Sequence, residues 1–502
     1  MRWITTFLAG LAVPLAFAPF SLWPLMLLAF AILYYHVREA SPRDAFRLGW
    51  AFGFPYFAFG VSWIYNSLHD FGAAIPAVAA FMTLLLVLIL SLFPAMASYL
   101  YARLRTSAAI SNCLLFASCW VICELLRGWI FGGFPWLVSG YSQTESVFRG
   151  FAAYLGVYGV SWAIVLFSAL LSFLVACLLQ KRRTATRYVA LAGLIAVPLT
   201  GAFLLGIEHS KAKPDTLTFR LVQGNIPQEL KFSQERLISS LETYVKLSES
   251  DPSPVDIVVW PETAIPTVFS RVDDALLPFV ERMSAKNTEV LSGGFHRDGD
   301  DVYNAFRQLG GDRALYTKRH LVPFGEYMPF RFILDFVSRF VIAPVTDLSR
   351  GTGPANLLDI KGEKLGLSIC YEDVFGEEMA ESFPGATVLV NISNDAWFGA
   401  LMAPQQHQQI ASMRAIEFER PLVRVTNTGI SSSISYRGKV QQSIAHSEAG
   451  YIDVEVTPRT GTAPYAVVKN WPVWIVSILF LVLSWSLRIS RNRAKESVVT
   501  AS

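Results

Sequence analysis

Long apolar stretches fill the first part of the chain and return once near its end. A helix needs about 20 mostly apolar residues to cross a hydrocarbon core. Seven stretches before residue 210 read this way, at roughly 3–20, 21–37, 46–66, 73–101, 109–127, 150–180 and 187–207, with an eighth at 471–487. The first two are short and run together, so their separation is the weakest part of an expected set of about eight spans. Between Lys211 and Asn470 the pattern changes. Short β-rich runs recur at 219–225, 256–260, 289–295, 365–370, 387–393 and 422–426, with helical stretches between several of them. That is an α/β pattern, and about 260 residues is ample for one large domain. The expected organisation is a polytopic α-helical membrane domain over 1–210, an α/β domain over 211–470, a C-terminal transmembrane helix over 471–488 and a cytoplasmic tail over 489–502. The tail after Arg491 is expected to be disordered.

Charge orients this arrangement. With 53% hydrophobic and 16% charged residues the chain reads as a membrane protein, and a net charge of +3 gives no reason to expect a nucleic-acid partner. Lys and Arg are retained on the cytoplasmic side. Arg2 precedes the first span, Arg38, Arg43 and Arg47 follow the second, Arg103 and Arg105 the fourth, Lys181 to Arg183 the sixth, and Arg488 to Lys495 the eighth. The alternate connections carry few basic residues, Arg149 among them. Both termini are therefore expected inside and the α/β domain outside. The first twenty residues imitate a signal peptide ending in Ala16-Phe17-Ala18, but Pro19 and a new apolar stretch follow at once, so the segment reads as a retained span.

Among five cysteines, only Cys370 falls in the outer domain, and no CxxC or zinc-type spacing occurs, so no metal site is expected. An unpaired thiol outside the cytoplasm is a liability unless it has a use or is buried as a small hydrophobe. Cys370 ends the apolar run Leu365-Gly-Leu-Ser-Ile and precedes the acid-rich Tyr371-Glu-Asp-Val-Phe-Gly-Glu-Glu. A strand-to-helix turn there is expected to expose the side chain, and a helix N-terminus favours the thiolate. A thiol nucleophile needs a base and a holder for the oxyanion. Glu262 ends the run Asp256-Ile-Val-Val-Trp-Pro-Glu, and Lys318 offers a fixed positive charge; taken singly, each also reads as a solvated surface charge.

Together, Trp260-Pro-Glu-Thr-Ala-Ile-Pro, Lys318-Arg-His-Leu-Val-Pro-Phe-Gly-Glu and Cys370-Tyr-Glu-Asp resemble the Glu, Lys and Cys motifs of the nitrilase superfamily. The preceding spans, Gly133-Phe-Pro-Trp, Gln223-Gly-Asn-Ile-Pro-Gln and Asn394-Asp-Ala-Trp-Phe-Gly narrow the resemblance to the bacterial apolipoprotein N-acyltransferase family, over essentially the whole chain. The resemblance implies a nitrilase-like αββα sandwich in the inner membrane's outer face, without a cofactor. It implies Glu262 as general base, Lys318 as oxyanion stabiliser and Cys370 as nucleophile. An acyl chain would pass from a phospholipid donor, typically the sn-1 chain of phosphatidylethanolamine, through a Cys370 thioester to the α-amine of a diacylglyceryl-apolipoprotein acceptor. By the same carry-over, Glu326 matches a second acid, Tyr371 and Glu372 match neighbours of the nucleophile, and Trp397 and Trp136 match aromatic positions around the site and its membrane side. Phe232 stands where many members carry Trp, keeping an aromatic face without the indole donor. An ionised Glu262 beside the thiol would raise its pKa, giving Lys318 a second task in offsetting that charge.

Chemistry at the membrane surface avoids extracting an acyl chain into water, at about 0.8 kcal/mol per methylene. The loop 132–141, with Trp136 and Tyr141, reads as a lipid-facing wall or a plain interfacial anchor. Ile333, Phe336, Val337, Phe340 and Val341 fall at helical spacing, so an amphipathic helix is expected after Glu326, either packing on a core or forming a membrane-facing lid through Phe336 and Phe340. Glu124 and Arg127 either pair, line a polar path or snorkel. Cys113, Cys119 and Cys123 read as packing residues. His320 would share the face of Lys318 if that segment is extended, and is at most a supporting group. Two rivals remain: a membrane-anchored amidase with water as acceptor, for which eight spans are more than a tether needs, and a lipid transporter with a decayed enzyme domain, against which the intact Glu262, Lys318 and Cys370 set argues.

Overall fold

The computed structural model describes residues 1–500 except 73, 182–184, 232–233, 311–314, 328–346, 353–356, 383–384 and 400. The chain forms two compact units. One holds Met1–Ser62, Phe81–Ile207 and Val468–Ser502; the other holds Trp63–Ala80 and Glu208–Val467.

In the first unit, each of the eight apolar stretches carries a helix: Arg2–Ala12, Pro24–Val37, Pro42–Gly60, Pro76–Leu104, Ala109–Arg127, Ala152–Leu179, Ala185–Leu204 and Trp471–Thr500. Among the described residues, five helices are long and apolar enough to cross a membrane: Pro76–Leu104, Ala109–Arg127, Val147–Leu179, Ala185–Leu204 and Trp471–Ser490. Leu84, Leu85, Ile89 and Leu92 on one of them, and Ile195, Leu199 and Phe203 on another, point outward and are exposed. So much outward apolar surface suits hydrocarbon rather than water. The last helix continues to Thr500, where disorder is expected from sequence. No Gly or Pro follows Pro472 to stop it.

The loop expected to face lipid through Trp136 and Tyr141 turns inward instead: they are 0% and 1% exposed, whereas Trp129 and Phe131 are 77% and 76% exposed. Two buried charges cause the turn. Arg127 donates to the carbonyls of Phe134 and Trp136 at 2.6 Å each, and Glu124 accepts from the Ser139 amide at 2.9 Å and its hydroxyl at 2.8 Å. Glu124 and Arg127 thus neither snorkel nor pair with each other; they fasten the loop to helix Ala109–Arg127. Cys113, Cys119 and Cys123 are buried in that helix, as packing residues should be.

The second unit is built on two six-stranded sheets and a small pair. Its strands are β1 (Ser210–Ala212), β2 (Leu217–Gln223), β3 (Ile257–Val259), β4 (Glu289–Asp298), β5 (Asp301–Gln308), β6 (Leu315–Thr317), β7 (Leu358–Ile360), β8 (Glu363–Ile369), β9 (Val388–Ser393), β10 (Leu422–Thr426), β11 (Ser431–Ile434), β12 (Val440–Ile444), β13 (Gly450–Val456) and β14 (Arg459–Gly461). One sheet runs β13-β2-β3-β4-β5-β6, the other β12-β11-β10-β9-β8-β7, and β1 pairs with β14. In each sheet the central strands β2, β3 and β4, or β8, β9 and β10, are parallel, so their carboxyl ends share one edge.

Each sheet is covered outside by helices. Leu241 and Tyr244 of helix Gln234–Glu249 and Leu276, Phe279 and Met283 of helix Asp273–Ala285 pack with Val222, Val258 and Val290. Met379 of helix Gly376–Ser382 and Ala411, Ala415 and Phe418 of helix Ala403–Phe418 pack with Leu389, Leu422 and Ile434. Alternate strand positions point the other way, between the sheets, as the period of two requires. Close approach is needed there. A side-chain carbon at Gly293 of β4 would lie 2.7 Å from Ile392 Cδ1 of β9 and 2.7 Å from Glu262 Cα. The result is a four-layer αββα sandwich with strand ends of both sheets available to a common site.

Candidate active site

Glu262, Lys318 and Cys370 arrive on three separate strand ends. Glu262 lies three residues beyond β3, after Trp260 has extended the pairing with its amide on Leu291 O at 2.8 Å. Lys318 follows β6 directly, its amide bonded to Asn304 O at 2.8 Å. Cys370 follows β8 and opens the 3₁₀ turn Cys370–Val374 with φ +52°. A residue with a Cβ pays roughly 1–2 kcal/mol in that left-handed conformation. Such a strained strand-to-helix turn sets the Cys370 side chain at the end of the sheet, the place a nucleophile would need.

The three groups form one electrostatic unit. Lys318 Nζ lies 3.3 Å from Glu262 Oε1 and 2.9 Å from Glu326 Oε1, and Lys318 is 1% exposed. Burial alone would lower its pKa, but the two carboxylates outweigh burial and hold the ammonium well above its ordinary value. Of its three N–H donors two are engaged by these carboxylates, which leaves the third, among the described residues, for an oxyanion. Asn304 of β5 braces the pair: its Nδ2 donates to Glu262 Oε1 at 2.7 Å and Glu326 Oε1 at 3.0 Å. Glu326 is fixed further by the Val322 amide, 2.8 Å from Oε2.

Cys370 itself departs from expectation. It is 6% exposed, not presented to solvent. Burial pushes the thiol well above its ordinary value, the Glu262 charge adds to this, and Lys318 opposes it. A single 3₁₀ turn has too few aligned amides to reverse that. The resting group is a thiol, so any attack by its sulfur would require that proton to leave.

Glu372 ties these turns together. Its carboxylate accepts from Tyr316 OH at 2.9 Å, the Arg319 amide at 2.6 Å, the His320 amide at 3.2 Å and the Ile369 amide at 2.7 Å, so one side chain joins the Lys318 segment to the Cys370 turn. Tyr371 packs edge-on against Phe375. His320 stacks on Phe375 and meets the Tyr371 ring edge-on, with Nδ1 2.8 Å from Glu378 Oε1.

Known proteins bear on this geometry. Residues 9–170 match the family model described as the apolipoprotein N-acyltransferase N-terminal domain, and residues 218–465 match that of carbon-nitrogen hydrolase. A relative from Azotobacter vinelandii, named apolipoprotein N-acyltransferase, is 38% identical over 99% of this chain and 98% of its own. One of the same name from Methylococcus capsulatus is 37% identical over 92% of both. The chain belongs to the apolipoprotein N-acyltransferase family. It is an acyltransferase whose second half has the carbon-nitrogen hydrolase fold. Among solved structures, a carbon-nitrogen hydrolase superfamily protein from Xanthomonas campestris aligns over 52% of this chain and 97% of its own, at 18% identity and a TM-score of 0.36.

The remaining site expectations for this acyltransferase divide. Trp397 lies in the 3₁₀ turn Asp395–Phe398 that follows β9. Because β9 runs parallel beside β8, with Ile392 opposite Ile369, this turn flanks the Cys370 turn. Trp136 is buried in the first unit. Phe232, Phe336 and Phe340 lie outside the described residues.

Sequence reasoning missed three features. Asn304 is one. Lys231, at the end of helix Gln228–Lys231, is the second: it is 1% exposed and donates to the Glu262 carbonyl at 3.1 Å. Burial lowers its pKa to about 7, with Glu262 opposing. The third is a fully buried ionic cluster that includes Asp373 of the Cys370 turn. His407 Nε2 lies 2.8 Å from Asp373 Oδ1, and Arg424 lies 3.2 Å from Asp373 Oδ2 and 3.0 Å from Asp395 Oδ2. Asp373 belongs to the Cys370 turn and Asp395 to the Trp397 turn, so the cluster joins the two.

Proposed function

We propose that the protein is a phospholipid:apolipoprotein N-acyltransferase working by acyl exchange through Cys370. The observation that carries this reading is the Lys318 ammonium gripped by Glu262 and Glu326 beside a buried, protonated Cys370 thiol. In the first half-reaction Glu262 accepts the thiol proton as sulfur attacks the ester carbonyl of a phospholipid, such as the sn-1 ester of phosphatidylethanolamine. The free N–H of Lys318 meets the oxyanion. Collapse breaks the ester C–O bond, and the departing lysophospholipid oxygen takes the proton back from Glu262, leaving a thioester. In the second half-reaction the α-amine of an S-diacylglyceryl cysteine attacks, Glu262 takes its proton, the C–S bond breaks and the proton returns to sulfur. The product is an N-acylated lipoprotein.

This reading takes the eight helices of the first unit as membrane spans in the inner membrane, with both termini cytoplasmic and residues 211–470 periplasmic. The arginine and lysine distribution supports it, as does the apolar outer surface of the helices. Glu326, Glu372 and Tyr371 would hold the triad's geometry, and Trp397 would line the acyl path.

The test incubates the membrane-bound protein with phospholipid labelled in the acyl chain. A hydroxylamine-labile label should appear on wild type and not on Cys370→Ala, and a diacylglyceryl lipopeptide should discharge it with a matching mass gain on its α-amine. Equal labelling of Cys370→Ala would overturn the thioester, and discharge to water alone would make the protein a lipid hydrolase.

A further inference from the structure

The segment Trp63–Ala80 separates two apolar helices in the sequence, yet it belongs to the compact unit that carries the triad. Its contacts converge on one place, the turn bearing Trp397. Ser67 Oγ donates to Trp397 O at 2.6 Å, across 330 residues of chain. The Trp63 ring meets the Phe398 ring edge-on, with centroids 4.7 Å apart at 69°. Gly399, at φ +67°, comes so near that an added side-chain carbon would sit 2.9 Å from Asn66 Nδ2. Three successive residues of the turn, 397 to 399, thus each have a partner in residues 63–67.

The other side of the turn is anchored just as firmly. Asp395 accepts from Ser393 Oγ at 2.6 Å and pairs with Arg424 and His407, all fully buried. Past Asp395 the anchor thins: the His407 ring still meets the Phe398 ring edge-on, with centroids 6.4 Å apart, but Trp397 and Phe398 are only half-buried, so the contacts from residues 63–67 add to what fixes the shape of the turn. A short chain segment between one fixed end and a half-exposed tip has several conformations close in free energy, and a few hydrogen bonds or ring contacts select among them. Ser67 also opens the π-helical turn Ser67–Phe71, a wide turn that recurs near functional sites.

We propose that Trp63, Asn66 and Ser67 are positioning residues for acyl transfer: they clamp the Trp397–Phe398 turn beside Cys370 in the shape that receives a lipid acyl chain. The inference rests on the acyl-transfer reading for its kinetic half. If the clamp selects the binding-competent turn, loosening it acts as a tax on substrate affinity, raising KM by the inverse of the competent fraction while leaving chemistry on bound substrate unchanged. Losing one such hydrogen bond is a factor of about five in that equilibrium.

The test compares Ser67→Ala, Ser67→Thr and Trp63→Leu in the full-length protein in phospholipid-containing membranes. Hydrogen–deuterium exchange is read on peptides covering 394–402, and KM and kcat are read for a labelled phospholipid donor. Ser67→Ala should speed exchange of that peptide by up to about fivefold, with the Cys370 turn unaffected, and raise KM by the inverse of the competent fraction that remains, at most about fivefold, with kcat held within about twofold. Ser67→Thr, which keeps the hydroxyl, should restore both, and Trp63→Leu should reproduce the Ser67→Ala pattern. Unchanged exchange in Ser67→Ala and Trp63→Leu overturns the clamp. Faster exchange with KM unchanged even in the Ser67→Ala/Trp63→Leu double variant, or a fall in kcat alone, overturns its role in receiving substrate. A wild-type protein that takes no acyl label would sink the acyl-transfer reading, while the exchange comparison would still decide whether the clamp exists.

Discussion

Lys318 and Lys231 are each 1% exposed and each reach Glu262, the first at its carboxylate and the second at its main-chain carbonyl. Burial pulls both toward the neutral amine. Around Lys318 two carboxylates in direct contact overcome it, and the ammonium is held well above its ordinary range; around Lys231 the Glu262 charge opposes burial without a direct contact and does not overcome it, and the amine falls to about 7. Contact with anionic oxygen, more than depth, decides which buried lysine is a cation. The consequence is chemical. In the proposed reaction one fixed positive charge would serve both the oxyanion and the thiol.

The largest effect should come from Glu262→Gln. Removing the general base is expected to slow acyl-enzyme formation about 10²–10⁴-fold, measured as single-turnover labelling of Cys370. The same change removes a charge that raises the thiol, so alkylation of the Cys370 peptide by iodoacetamide at pH 8.5 should become faster while catalysis collapses. A rate within tenfold of wild type would mean another base. Next comes Lys318→Met, expected to cost about 10²–10³-fold as an oxyanion donor is lost. Here alkylation should slow, because the cation that lowers the thiol is gone. The two variants therefore move the thiol in opposite directions while both losing acyl transfer; alkylation shifting the same way in both would break the electrostatic account.

Much of this was legible in the sequence, for reasons that differ by residue. Cys370 and Glu262 end apolar runs that read as strands, and strand ends are where a sheet presents side chains. The apolar stretches mapped onto helices because a run of twenty apolar residues has few other solutions. What failed was direction. Trp136 and Tyr141 look like interface residues by type, but Arg127 and Glu124 capture their loop through backbone groups that no side-chain pattern displays. Lys231 looks like an ordinary solvated lysine on a short helix. Asn304 did leave a signal: it shares the strand face of Val302 and Phe306, a polar side chain on an apolar face. His407, Arg414 and Glu417 are buried on helix Ala403–Phe418, whose polar composition suggests a surface helix. Arg414 and Glu417 pair with each other within the helix at 2.9 Å, whereas the partners of His407, which are Asp373, Asp395 and Arg424, lie on two turns and on β10 and were not predictable from the helix alone.

Asn304→Ala sharpens the comparison from the side of the carboxylates. Its amide is the brace that keeps Glu262 and Glu326 on one ammonium. Loss of two charge-assisted bonds, each about 1.5–3 kcal/mol at most, is only partly felt because Lys318 still bridges the pair. A fall in kcat of roughly tenfold is expected, with rescue in Asn304→Gln absent because the longer side chain moves the amide. Full activity in Asn304→Ala would show that Lys318 alone sets the geometry.

Lys231→Met should have the smallest effect on the reaction and a larger one on the pH dependence of stability. The folded-state pKa of this lysine, about 7, is below its unfolded value, so between about 7 and about 10.5 the unfolded chain binds more protons than the folded one. Stability contributed by this group is therefore complete above about 10.5 and is lost as pH falls toward 7. Methionine removes that dependence, at the cost of the hydrogen bond to Glu262 O, about 1 kcal/mol. The Tm difference between Lys231→Met and wild type should be more positive at pH 6.5 than at pH 9.5, and acyl-enzyme formation should stay within about fivefold. Equal Tm differences at the two pH values would mean that Lys231 stays charged in the fold, and the contrast between the two lysines would then lie in their partners alone and not in their protonation.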